Sequence, residues 1–144
     1  MINLDQYFGI WADSPDATPE RKQNAGILLP KVNLLLIRAA SEKVPLPINP
    51  RTHTQISGNT FGGFRPQECP QGAPGSSHKE GMAVDVFDLS NAIDDWITRY
   101  NINGGEDNTI LREFDLFREH PTTTLTWCHL TTRPPRSKHR TFFP

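Results

Sequence analysis

Ser76-Ser77-His78-Lys79-Glu80-Gly81-Met82-Ala83-Val84-Asp85 places a histidine and a carboxylate seven residues apart, with small residues between them. A second histidine lies far downstream, in Trp127-Cys128-His129. Two imidazoles and one carboxylate are three protein ligands, the number a catalytic zinc uses while its fourth position stays open for water. The run from Met82 to Phe87 alternates as a strand does, and residues two apart on a strand face the same side. Ala83 and Asp85 then share one face, Trp127 and His129 another, and Cys128 points away. Two adjacent strands can present Asp85 and His129 to one cleft, with His78 arriving from the preceding loop.

Outward from this stretch, the chain reads as a mixture of helices and short strands. Thr18-Pro19-Glu20 is a helix start: a hydroxyl cap, Pro at the first helical position and an acid in the first turn. Ala25, Leu28, Leu29, Val32, Leu35 and Leu36 recur at three- and four-residue spacing, as on one buried helical face. Pro30 falls inside the pattern and predicts a kink or a break into two shorter helices. Residues 44–50 hold three prolines and read as an irregular connector. A strand is expected over Thr52 to Ser57, followed by a long loop from Arg65 to Ser77 that is rich in Pro, Gly, Ser and Gln. Long ordered loops in a small domain are more often functional than not. Ser90 is placed to cap a helix through Ile93, Trp96, Ile97 and Tyr100, ended by Asn103-Gly104-Gly105. Two further strands are expected near Phe114 to Arg118 and Leu125 to Thr131.

A chain of 144 residues supports one domain, taken here as 1–144, with a real core. Its thirteen Pro and ten Gly predict many turns and short elements. A formal net charge of −1 gives no general attraction to nucleic acid or membrane. The basic stretch from Arg133 to Arg140 is therefore read as a solvated or wall-attracted surface. No run approaches the roughly 18 apolar residues of a membrane span. The N-terminus lacks the pattern of a secretory signal. Cys69 and Cys128 form no Cys-x-x-Cys pair, which argues against a thiolate zinc site or a thioredoxin-type centre. They read as two reduced thiols, with one disulfide as the alternative.

Ser76, His78, Gly81, Ala83 and Asp85 fit the signature Ser-x-His-x-x-Gly-x-Ala-x-Asp. In this the chain resembles the zinc D-alanyl-D-alanine carboxypeptidases and the related phage-type L-alanyl-D-glutamate endopeptidases. Gly63-Phe64-Arg65-Pro66 is similar to that family's Gly-aromatic-Arg segment, and Trp127-Cys128-His129 to its Trp-x-His segment. The ending from Thr132 to Pro144 also resembles short phage-encoded members. The resemblance implies an α+β fold, a small antiparallel sheet flanked by helices with the zinc site in a cleft on the sheet. It implies that His78, Asp85 and His129 bind Zn2+ and that Arg65 reaches toward a substrate carboxylate or carbonyl. Ser76 is left between binding substrate and shaping the loop.

One departure matters. The family places a general base two or three residues before its last ligand, where this chain has Trp127 and Thr126. The nearest replacements are Glu119 and, behind it, His120, in a Glu-His-Pro segment similar to that of short phage-type members. The activity implied is hydrolysis of peptidoglycan peptides, as a carboxypeptidase or an endopeptidase. The alternative is a silent module that holds cell-wall peptides or a protein partner in the same cleft. With no leader recognised, the expectation is a monomeric, endolysin-like metallopeptidase that stays cytoplasmic until released to the cell wall.

Overall fold

The computed structural model describes residues 1–144. Helix α1 (Leu4–Phe8) opens on a reciprocal cap: Asn3 Oδ1 accepts from the Gln6 N–H, and Gln6 Oε1 accepts from the Asn3 N–H. Helix α2 (Pro19–Ser41) starts where the Thr18-Pro19 signal puts it, with Thr18 accepting from the Arg21 N–H. Contrary to expectation, Pro30 does not divide it. The lost hydrogen bond and ring clash cost about 3 kcal/mol. Against that stand seven buried positions, Ala25, Leu28, Leu29, Val32, Leu35, Leu36 and Ala39. Each large one contributes about 1.5–3 kcal/mol on burial, so tertiary packing carries the helix through the proline.

From residue 42 to residue 82 the chain forms no regular element. The strand expected over Thr52 to Ser57 is reduced to two isolated bridges, Asn49 with Thr54 and Ile56 with Val86. Its backbone still lies along strand β1 (Ala83–Phe87): Ser57 N–H donates to Asp85 O and Phe87 N–H to Gln55 O. Only Gln55 to Ser57 can follow the edge, because Thr52 and Thr54 bond each other and nearby backbone in a tight turn.

Helix α3 (Ala92–Thr98) is capped not by Ser90 but by Asp88, whose carboxylate accepts from the Ile93 and Asp94 N–H groups. Tyr100 lies beyond it. A small hairpin of β2 (Asn101–Ile102) and β3 (Asp107–Asn108) leads into α4 (Thr109–Glu113), capped by Asn108. The strand expected near Phe114 begins later, as β4 (Phe117–Glu119). Strands β5 (Trp127–Thr131) and β6 (Thr141–Phe142) complete the set.

The principal sheet has the order β1-β5-β4-β6. The α+β architecture is as expected, but the sheet is mixed rather than antiparallel. β1, β5 and β4 pair antiparallel, whereas β6 joins β4 in parallel. Residues 132–140 reverse the chain after β5 and carry it past β4, so the returning strand lands on the far side of β4 and runs with it. The core lies between α2 and α3 and one face of this sheet, and includes Val84, Val86, Cys128 and Leu130. Cys69 and Cys128 are both buried and unpaired.

Behind the sheet, Arg118 is fully buried and bonds Asp94 Oδ1 at 3.1 Å, Asp94 O at 2.8 Å and Thr141 Oγ1 at 3.2 Å. It ties β4 to α3 and to β6. Burial pushes the Asp94 carboxyl up to about 6 despite the attraction of Arg118. A raised acid favours the fold below its unfolded value of about 3.9 and loses that contribution as pH rises through about 6. Arg118→Ala is expected to lower stability by about 3–5 kcal/mol, since it leaves Asp94 buried and unpaired. Urea unfolding at pH 7.5 checks this; a loss under about 1 kcal/mol contradicts a structural ion pair.

Candidate metal centre

Residues 76–81 form a turn that delivers His78 to the sheet. The Ser76 hydroxyl accepts from the His78 N–H, and Ser76 O from the Lys79 N–H. Ser76 thus shapes the loop, and it also lines the cleft. Buried Lys79 donates to Cys69 O at 3.1 Å, pinning the turn to the loop before it. Gly81 has φ +73°, and a Cβ there would lie 2.4 Å from Arg21 O, so only glycine lets the turn pass α2.

Asp85 and His129 arrive from the sheet. They are direct partners across β1 and β5 and therefore point to the same face. His78 Nε2, Asp85 Oδ1 and His129 Nδ1 converge: 3.2 Å from His78 to Asp85, 2.8 Å from His129 to Asp85, and 3.3 Å between the imidazoles. All three residues are buried. His78 Nδ1 lies 2.8 Å from Gly63 O, a carbonyl that can only accept. The ring proton therefore sits on Nδ1, and Nε2 turns its lone pair to the centre.

That tautomer tests whether a cation fits. With no cation between them, His129 Nδ1–H can donate a hydrogen bond to Asp85 Oδ1. His78 Nε2 and Asp85 Oδ1 still face each other, lone pair to lone pair, at 3.2 Å in a buried site. A positive charge between them removes the repulsion. Burial pushes the His78 imidazole down, more than the Asp85 carboxylate raises it, which keeps the neutral, ligating form at neutral pH. Burial alone would raise the Asp85 carboxyl; its contacts with His78 and His129 outweigh burial and hold the group ionised. The buried His-Asp-His group can hold a metal ion.

The remaining expected residues separate. Arg65 lines the cleft, but Nη2 donates to Asp85 Oδ2 at 3.1 Å and Nε to Phe61 O at 2.7 Å. It steadies the ligand set, and only Nη1 is left without a partner in the chain. Glu119 is brought to the site by strand register. Phe117 pairs with Thr131 and Arg118 with Leu130, so one step further sets Glu119 beside His129. Glu119 also pairs with Phe142. Asp85, His129, Glu119 and Phe142 thus form one row across four strands, and all four line a cavity of about 350 Å3.

His120, just past the end of β4, is not among the residues lining that cavity. It accepts from the Thr122 N–H, bonds the Thr122 hydroxyl and stacks on Phe143 at 4.4 Å. Alternation along the strand explains this, since neighbours point to opposite faces. Sequence reasoning missed Phe142 and Pro144 as cleft walls and the Gly63 carbonyl as the partner of His78. A backbone acceptor leaves no side-chain signal to find.

A divalent transition metal is expected to raise the melting temperature of the chelator-treated protein. At one hundred times Kd the gain is about 2.7 kcal/mol. His78→Ala and His129→Ala are expected to abolish the shift, and it should shrink as pH falls and imidazole ligands take up protons. Thermal melts with and without metal check this; an equal shift in wild type and His78→Ala contradicts the site. No protein-family model, curated protein or solved structure matches this chain, so the reading of the site rests on its own geometry and chemistry.

Proposed function

We propose that this chain is a zinc-dependent peptidase that hydrolyses peptide bonds of peptidoglycan stems or cross-links. The observation that carries the reading is the row of Asp85, His129 and Glu119 on one sheet face, with His78 closing the ligand triangle. Two imidazoles and one carboxylate suit zinc, whereas Mg2+ and Ca2+ favour all-oxygen sets. Three protein ligands leave one position for water or substrate. When bound, zinc supplies Lewis acidity, lowering the pKa of a water it holds toward about 7 and polarising a carbonyl.

Each cleft residue then has a role set by its place. Glu119 is the one carboxylate besides Asp85 in the cleft lining. It takes the proton of the attacking water and returns it to the leaving amine. The Thr123 hydroxyl donates to Glu119 Oε1 at 2.9 Å, which orients the carboxylate and leaves Oε2 for water. Arg65 Nη1 is positioned to meet a substrate carbonyl or carboxylate, while the rest of its guanidinium fork holds Asp85 in register. Trp127 and Phe142 wall the cleft with apolar surface against which a peptide can exclude water.

Elemental analysis of the purified protein is expected to give about one zinc per chain, lost in His78→Ala. Glu119→Gln is expected to keep zinc and lose about 10²–10⁴ in kcat on peptidoglycan fragments. Zinc bound with no turnover on any fragment supports the module that only binds wall peptides; wild-type turnover in Glu119→Gln moves the base elsewhere.

A further inference from the structure

Helix α2 turns two apolar faces in opposite directions. One is buried against the sheet. On the other, Ile27, Pro30, Leu34 and Ile37 are all exposed and follow one another at spacings of three, four and three residues, the seam of a helix that packs on another helix. Asn33 borders this seam and holds the N-terminal segment to it: its side chain accepts from the Ile2 N–H at 3.0 Å and donates to Ile2 O at 2.9 Å. Met1 and Leu4, close to Ile2 in the chain, widen the apolar surface. Met1, Leu4, Ile27, Leu34 and Ile37 are 46–53 % exposed, and a contiguous apolar surface of several large side chains marks an interaction site.

Two further features favour a protein partner. Gly26 lies beside the seam in mid-helix, where glycine costs about 1 kcal/mol against alanine. Its own chain does not require it, since a Cβ there would meet no atom within 4 Å. Such a glycine suits the close approach of a second backbone. The seam is also edged by Lys31, bonded to Asp115, and by Arg38, bonded to Glu42 and Glu113. An edge that mixes both signs flanks protein–protein seams, whereas helices lying on anionic lipid carry edges rich in Lys and Arg.

We infer that α2 is a dimerisation helix whose outer seam packs antiparallel on the same seam of a second copy. The seam is its own complement. About a two-fold axis at Val32, Ile27 meets the partner's Ile37 and Pro30 meets the partner's Leu34, so each apolar side chain finds an apolar one. The five half-exposed residues, with Gly26, Pro30 and the flanking polar side chains, offer about 600 Å2 per copy and about 1,200 Å2 in total, the lower bound of a specific interface. The metal ligands sit on the sheet face turned away from α2, so both clefts stay open in the pair. A dimer replaces the monomer expected from the sequence, and its pairing does not depend on what the cleft does.

Analytical ultracentrifugation of the metal-loaded full chain from about 1 to 200 µM tests this, since interfaces near the lower size limit dissociate in the micromolar range. Wild type is expected to pass from monomer to dimer and Leu34→Glu to stay monomeric. Ile102→Glu, which alters an exposed apolar position on the small hairpin, is expected to dimerise as wild type does. A wild type that stays monomeric, or a dimer that Leu34→Glu leaves at full strength, overturns the inference. A monomer that floats with anionic lipid vesicles gives the seam to a membrane and overturns it too.

Introduced thiols check the direction of pairing without the charged variant. Cys69 and Cys128 are buried and stay out of the reaction. Ile27→Cys mixed with Ile37→Cys is expected to give a disulfide-linked dimer with oxidised glutathione, and neither variant to do so by itself. A linked dimer from one variant alone, or none from the mixture, overturns the antiparallel pairing.

Discussion

Asp85 is held at both ends of the residue, and the site depends on that. Its backbone N–H donates to Gly62 O at 2.7 Å and its carbonyl accepts from the Ser57 N–H at 2.8 Å. On its other edge it is paired with His129. Its carboxylate meets His129 and His78 through Oδ1 and Arg65 through Oδ2. Because side chains alternate along a strand, a slip of one residue in β1 would turn this carboxylate into the core and Val84 or Val86 into the cleft. Contacts on both edges of β1 exclude that slip, so the same bonds that fix the sheet also fix the ligand.

The loop before β1 shows what this arrangement demands of its neighbours. Gly63 must bring its carbonyl to His78 Nδ1 while its own Cα passes Tyr7, and a Cβ there would lie 2.2 Å from Tyr7 O. Tyr7 in turn donates its hydroxyl to Ala83 O at 2.8 Å and accepts from the Phe64 N–H. Helix α1, the loop at residues 62–65 and β1 are thereby stacked through backbone acceptors. Rigid support of this kind suits a centre whose ligands must hold their geometry to within a fraction of an ångström.

Much of this was legible in the chain because it is local. The spacing of His78 and Asp85, the alternation around Asp85 and His129, and the buried face of α2 each depend on neighbours within a few residues. What could not be read depends on what lies across the sheet. Glu119 reaches His129 only because β4 sits beside β5, and a spacing of ten residues carries no trace of that. The parallel placement of β6 is set by the path of residues 132–140 past β4. Asp88 displaces Ser90 as the cap of α3 because the chain enters the helix through Asn91 with a left-handed backbone, φ 58°. Pro30 does not break α2 for the opposite reason: its local cost is real, but the packing that overrides it is tertiary.

Charge accounting links the buried cluster to the chemistry. Asp85 carries one negative charge, its partner Arg65 one positive, and neutral His78 adds none. With His129 also neutral, as ligation requires, the ligand set is close to electrically balanced before any ion enters. A divalent ion therefore brings its charge largely unopposed into a half-enclosed cleft where the local dielectric is low. Arg65 matters here as a charge that limits how far Asp85 would quench such an ion. Were Arg65 absent, the same ligands would neutralise half of a divalent ion's charge. Glu119, one strand further and outside the ligand triangle, lines the same cleft and makes no ion pair within the chain.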